Sequence, residues 1–203
     1  MTDPFDTPTL EGRHVRLQPL LTEHADALRA AAADGALWAL RYTSVPGLTP
    51  GEAEAYIATA LQQRDAGQSL PFVVKDAAGD VVGSTRFYDI DRSVPRVKLG
   101  YTWYAQRAQR SGLNTEAKLL LIDHAFIQWR CEAVALETSH ENLRSQAAIA
   151  RLGAKRDGVL RAHSRHRDGT LRDTVVFSIL AAEWPALRSG LESKLAHYQE
   201  QHS

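Results

Sequence analysis

The chain has 203 residues, 44% of them hydrophobic and 24% charged, which fits one soluble globular domain with a substantial core. Lys plus Arg equals Asp plus Glu at 24 each, so the formal net charge is zero. That removes the bulk electrostatic attraction toward nucleic acid or an anionic membrane, and neither is expected as a partner.

In chain order, residues 1–12 read as a loose arm rich in Pro, Thr and Asp. The opening MTDPFDTPTLEG has no basic-then-apolar signal segment, and no apolar run is long enough to span a bilayer, so the expected location is cytoplasmic. HVRLQPL (14–20) alternates as a first strand. Thr22 reads as the N-cap of an alanine-rich helix through about Ala33. A second helix should start at Thr49-Pro50-Gly51-Glu52, with Thr49 as cap and Pro50 in the first turn, and run to about Asp65. Strands follow at 71–75 and 81–90, joined by Ala77-Ala78-Gly79-Asp80. Val97, Leu99, Tyr101 and Trp103 then share one face of a strand, with Lys98, Gly100 and Thr102 opposite. Gly100 hints at a bulge or a close backbone approach.

WYAQRAQRSGLNTEAKLLLIDHAF (103–126) carries this strand through a polar loop with one glycine into a long helix. That helix is apolar over much of its circumference and should pack against the sheet. Its first-turn N–H groups lack intrahelical partners and sit at the positive end of the dipole. The loop Gln109-Arg110-Ser111-Gly112-Leu113-Asn114 can wrap those donors around a phosphate, or can be a plain helix start. It lacks both the Gly-x-Gly-x-x-Gly spacing of dinucleotide folds and the Gly-Lys-Ser/Thr of nucleoside-triphosphate loops. Cys131 is the sole cysteine, which excludes an internal disulfide; its apolar neighbours make it a buried spacer, with a reactive thiol as the alternative. A short strand at 133–138 and a helix at 142–152, stopped by Gly153, come next. The hairpin VLRAHSRH/LRDTVVFSIL turns at Arg167-Asp168-Gly169-Thr170, and a terminal helix covers 183–199.

GYTW (100–103), SGLNTEAKLLL (from Ser111), ENLRSQAAIARLGA (from Glu141) and the closing DGTLRDTVVFSIL with EWPALRSGLESKL occur in order. Together they make the chain resemble the GCN5-related N-acetyltransferases (GNAT), and within them the branch of ribosomal-protein N-terminal acetyltransferases, over roughly residues 10–195. The resemblance implies a mixed α/β (α+β) fold in a single domain, residues 13–199. Its central, mostly antiparallel twisted sheet is splayed in the middle and flanked by helices. It also implies acetyl-CoA (coenzyme A) as the acyl donor, its pyrophosphate on the start of the central helix.

Against the family loop pattern Gln/Arg-x-x-Gly-x-Gly/Ala, Gln109 and Gly112 match, and Asn114 holds the second small-residue position. Arg110 stands where many relatives have another glycine; it either narrows the loop or adds a cation beside the pyrophosphate. Trp103, Tyr104, Gln109, Arg110, Ser111, Gly112, Leu113, Asn114, Thr115, Asn142 and Arg144 are the expected cofactor-binding residues. The aromatics Tyr101, Trp103 and Tyr104 either line the pantetheine slot or belong to the core. Asn142 and Ser145 share a helix face. The resemblance puts Asn142 on the pantetheine arm and Ser145 near the thioester sulfur, where its hydroxyl would protonate the departing thiolate. Helix capping is the plain alternative for both.

An acid often precedes the Gly-Tyr segment by two positions in this branch. Lys98 occupies that place, so the general base passes to Glu137, to His140 or to water, or the amine arrives neutral. Arg161, His163, Arg165, His166 and Arg167 at the hairpin tip read as a solvated charged turn, or as a surface steering an acidic substrate or the adenosine phosphates. The histidines show no metal-ligand spacing, and no metal is expected. The expected activity is acetyl transfer to a primary amine, with a protein or peptide N-terminus favoured over a small molecule. The alternative class is a non-catalytic acyl-CoA-binding protein. The RYTSVPG loop carries no decodable acceptor motif, and the hairpin or the terminal helix could build a homodimer.

Overall fold

The computed structural model describes residues 7–200. Among these residues are eight strands and five helices, in chain order β1 (Leu10–Glu11), β2 (Val15–Pro19), α1 (Ala25–Ala33), α2 (Pro50–Asp65), β3 (Ser69–Asp76), β4 (Val81–Asp91), β5 (Arg96–Tyr104), α3 (Leu113–Asp123), β6 (Ala133–Ser139), α4 (Leu143–Arg151), β7 (Lys155–Arg165), β8 (Leu171–Leu180) and α5 (Trp184–Glu200). The strands form one sheet in the order β1-β2-β3-β4-β5-β6-β8-β7. Every described pairing is antiparallel except β5 with β6.

Local chemistry sets several boundaries. The Thr49 hydroxyl accepts from the Glu52 N–H, and the Glu52 carboxylate accepts from the Thr49 N–H. This reciprocal cap, with Pro50 in the first turn, starts α2 where the sequence places it. Successive β4 residues then separate the two layers. Arg86 reaches Gln63 of α2, whereas Phe87 packs on Trp129 beyond α3 at 4.7 Å between ring centroids. Thus α1 and α2 cover one face of the sheet, and α3 with α5 the other. Phe72, Phe87, Leu17, Leu99, Leu121 and Ile179 are fully buried between the layers.

Three sequence expectations are corrected. Thr22 does not cap α1: it opens a short 3-10 turn, Thr22–His24, after an extended Leu21 whose N–H donates to His24 Nδ1. His24 thereby takes the place of the threonine hydroxyl, and α1 begins at Ala25. In the expected arm, Leu10–Glu11 pairs with β2, and Glu116 from α3 accepts from the N–H groups of Arg13 and His14; residues 1–6 lie outside the described residues. Tyr101 and Trp103 are not on the face of Val97 and Leu99, and Thr102 is, because the strand bulges there; Tyr101 is 41% exposed. Cys131 is buried, and its apolar surroundings push the thiol up to about 11.

Candidate active site

The site begins where β5 and β6 part. Their parallel pairing covers Arg96–Lys98 against Ala133–Ala135 and stops there. β5 runs on to Tyr104 paired to β4, and β6 runs on to Ser139 paired to β8. The facing edges therefore leave a wedge bordered by backbone donors and acceptors that an extended ligand can pair with. A break in the β4–β5 register between Ser84 and Arg86 places one extra residue in β5, and Tyr101 takes a left-handed φ of 51°. Such a bulge bends the strand and raises its twist, which accounts for the parting.

The bulge also sorts side chains. The Tyr101 ring lies under the Arg86 guanidinium at 4.2 Å, on the α2 face, and meets Tyr88 edge-on at 5.1 Å. Thr102 turns to the α3 face, where its hydroxyl accepts from Lys118 Nζ at 2.7 Å and pairs with Thr85 at 2.8 Å. Trp103 returns to the α2 face, and its Nε1 donates to the Tyr56 hydroxyl. Tyr104 is buried, and its carbonyl accepts from the Gln109 side chain.

After β5 a short 3-10 turn leads to Gln109 and then Arg110, which is exposed at a φ of 59°. That left-handed conformation favours glycine and costs an arginine about 1 kcal/mol, which explains why glycine suits this position. Ser111 donates to the Ala108 carbonyl and accepts from the Leu113 N–H, bracing the turn into α3. Ser111 thus takes the first helical N–H, and the N-cap residue Gly112 itself brings no capping side chain. A Cβ at Gly112 would sit 3.2 Å from the His14 ring and 3.4 Å from Leu195, so glycine lets the residue preceding β2 and helix α5 close around the helix start. Leu113 is core; Asn114 and Thr115 are half-buried on the first turn. Gln109 also accepts from Arg144 at 2.7 Å, tying the loop to α4. A helix start held open this way fits a pyrophosphate, and the adjoining wedge fits an extended pantetheine arm.

Asn142 caps α4 through Oδ1, which accepts from the Ser145 N–H at 3.0 Å. Ser145 is half-buried one turn into the helix, at the end of α4 nearest β6. Glu137 is engaged elsewhere: Lys98 Nζ lies 2.7 Å from its carboxylate and 2.9 Å from Asp89. Burial works against the Lys98 charge, but the two carboxylates outweigh it and hold the ammonium above its usual pKa. His140 is exposed beside the Asp173 carbonyl.

At the hairpin tip Arg161, His163, Arg165 and Arg167 are exposed, as a solvated turn requires, and His166 alone departs from that reading. His166 is buried, with its ring nitrogens against Ser139 at 3.0 Å and Thr170 at 3.1 Å. Arg41 of the α1–α2 loop clamps Glu141 and Asp168, and Arg167 donates to the Trp38 and Arg41 carbonyls. The loop and the hairpin thus close over the end of β6.

Sequence reasoning missed Lys118 and Arg86. Both are charged residues nearly sealed from water, at 6% and 3% exposure, inside segments that read as core. Their only sequence signal is a cation within an apolar run, and that marks neither partner nor face.

This fold and site define an acyl-CoA-type transferase, and comparison with known proteins agrees. The profile of the acetyltransferase (GNAT) domain matches residues 14–155, and the chain belongs to that family. A GCN5-related N-acetyltransferase from Brucella melitensis superposes with a TM-score of 0.87 at 30% identity, over 95% of this chain and 87% of that one. RimJ of Mycobacterium smegmatis, solved in complex with CoA-disulfide, shares the fold with a TM-score of 0.81 at 20% identity, over 97% and 98% of the two chains. YdaF of Bacillus subtilis (strain 168), a proposed ribosomal N-acetyltransferase, is 28% identical over 106 residues. That match spans 52% of this chain and only 57% of YdaF.

Proposed function

We propose that the protein transfers an acetyl group from acetyl-CoA to a primary amine, the favoured acceptor being the N-terminal amine of a protein or peptide. The reading is supported by the parting of β5 from β6 beside the turn into α3, whose N-cap residue Gly112 brings no side chain to the helix start. The similarity to YdaF, a proposed ribosomal N-acetyltransferase, favours a protein acceptor. Gly112, Asn114 and Thr115 would offer backbone N–H groups to the pyrophosphate, with Arg110 adding a cation and the Arg144–Gln109 contact holding the loop. The bound donor supplies a thioester, whose carbonyl carbon is open to direct attack by an amine. Unpaired backbone along β5 would orient the arm, and the Ser145 hydroxyl would protonate the leaving thiolate.

Lys98 holds the Glu137 carboxylate through one oxygen, so we assign Glu137 to taking the ammonium proton by its other oxygen, through water. Thiol release from acetyl-CoA, followed with a panel of peptides and small amines, tests the proposal. Turnover with at least one amine, with thermal stabilisation by coenzyme A, is expected. Stabilisation without turnover on any amine would leave only acyl-CoA binding, and no stabilisation would sink both.

A further inference from the structure

Arg86 is the group that the transfer scheme leaves without a task. It sits on β4 opposite Gly100, one strand away from the unpaired edge of β5. Its side chain is nearly sealed from solvent, and Nη1 donates to Gln63 Oε1 at 2.9 Å. Nε is buried with no acceptor among the described residues. The described residues hold no carboxylate in ion-pair contact with this guanidinium, whose other neighbours are the faces of Tyr101 at 4.2 Å and Tyr56 at 5.6 Å. A buried cation without a counter-ion is costly unless an anion completes it.

That anion has somewhere to sit. Arg86 and Tyr101 form one wall of a cavity of about 290 Å³, whose other sides come from Ser44, Tyr56 and Gln63. Glu52 also borders it, but its carboxylate is engaged by Thr49, with Oε2 accepting from both the N–H and the hydroxyl. The cavity lies on the α2 face and meets β5 at the bulge, where the strand leaves β6. Beside it, the Tyr88 ring packs where a Gly100 Cβ would point, at 3.0 Å. Tyr101 thus sets the cavity against β5, the strand whose other edge borders the wedge.

We propose that this cavity is an acceptor subsite for a carboxylate, and that the acceptor is an amine carrying a carboxyl group on the same residue. The proposal rests on the transferase reading. The carboxylate belongs either to a free amino acid or to an acidic side chain on the first residue of a peptide. Arg86 pairs with it through Nε and its free edge, while the tyrosine faces fix the guanidinium plane.

Thiol release is measured with Asp- and Glu-initiated peptides bearing amidated C-termini, with their Asn- and Gln-initiated counterparts, and with free amino acids against their amides. Wild type should favour the acid member of one of these sets by about 100-fold in kcat/KM, and that set names the source. Arg86→Met should abolish the preference while leaving coenzyme A affinity unchanged. Equal use of acids and amides by wild type overturns the proposal without any variant, and so does a preference that survives Arg86→Met. If no amine is turned over, the transferase reading fails separately, and succinate binding to the coenzyme A-loaded protein decides the subsite. Saturable binding lost in Arg86→Met upholds it; no binding overturns it.

Discussion

A Lys118→Met substitution removes an ammonium from the interior and keeps most of the side chain's length. Burial pushes the Lys118 pKa down to about 7 from an ordinary 10.5. Below pH 7 the group is charged in both the folded and the unfolded chain, so folding bears the whole cost of burying the charge. Between pH 7 and 10.5 the unfolded chain keeps a proton that the folded chain has released, and the cost shrinks as pH rises. Above 10.5 both are neutral and it is gone. The gap between the two values corresponds to about 5 kcal/mol below pH 7 and about 2 kcal/mol at pH 9. Loss of the Nζ–Thr102 hydrogen bond takes back about 1 kcal/mol at either pH. The variant should therefore be more stable than wild type by about 4 kcal/mol at pH 6 and about 1 kcal/mol at pH 9. With a urea slope of about 2 kcal/mol/M, the midpoint rises by about 2 M and about 0.5 M respectively. Equal rises at the two pH values would refute a desolvated charge, as would a variant weaker than wild type at pH 6.

Glu116→Ala leaves the Arg13 and His14 N–H groups without their acceptor and should cost about 3 kcal/mol in urea unfolding, with Glu116→Gln losing less. Arg110→Gly relieves the left-handed strain but adds unfolded-state freedom, so stability should move by less than about 1 kcal/mol. Coenzyme A affinity should fall about threefold by calorimetry, less so at high salt, and tighter binding would contradict a cationic role for Arg110. At Gly83 a Cβ would run into the Trp103 carbonyl oxygen, so Gly83→Ala should cost about 3 kcal/mol or more, seen as a lowered Tm; an unchanged Tm would mean that the β4–β5 contact is looser than described.

What was legible in the sequence is what a few adjacent residues decide. Thr49, Pro50 and Glu52 form a reciprocal cap whose members lie within one turn, and α2 begins there. Asp168-Gly169 turns a hairpin because Gly169 supplies the positive φ of 83°. The turn into α3 was readable for the same reason, since Gly112 and the apolar helix behind it are contiguous. The bulge was not, because an extra residue is defined only against a partner strand; Gly100 hinted at it, and the irregular residue is its neighbour Tyr101. The error about Tyr101 follows directly, since strict alternation cannot survive an inserted position. Arg86, Lys118 and His166 were hidden for a related reason. Their burial depends on helices and loops far along the chain, and a cation in sequence carries no mark of being sealed.

The bulge also explains how one strand can serve two substrates. On a regular strand, Tyr101 and Gly100 would face opposite layers; here both face α2, and Thr102 is the next residue to face α3. The α3 side then holds the Thr102–Lys118 contact beneath the helix whose start is the proposed pyrophosphate site. The α2 side holds Tyr101 and Arg86 at the proposed acceptor cavity. Restoring regular pairing would close the wedge and turn Tyr101 away from Arg86 in one step. The positive φ at Tyr101 is thus strain placed where the two proposed binding surfaces meet.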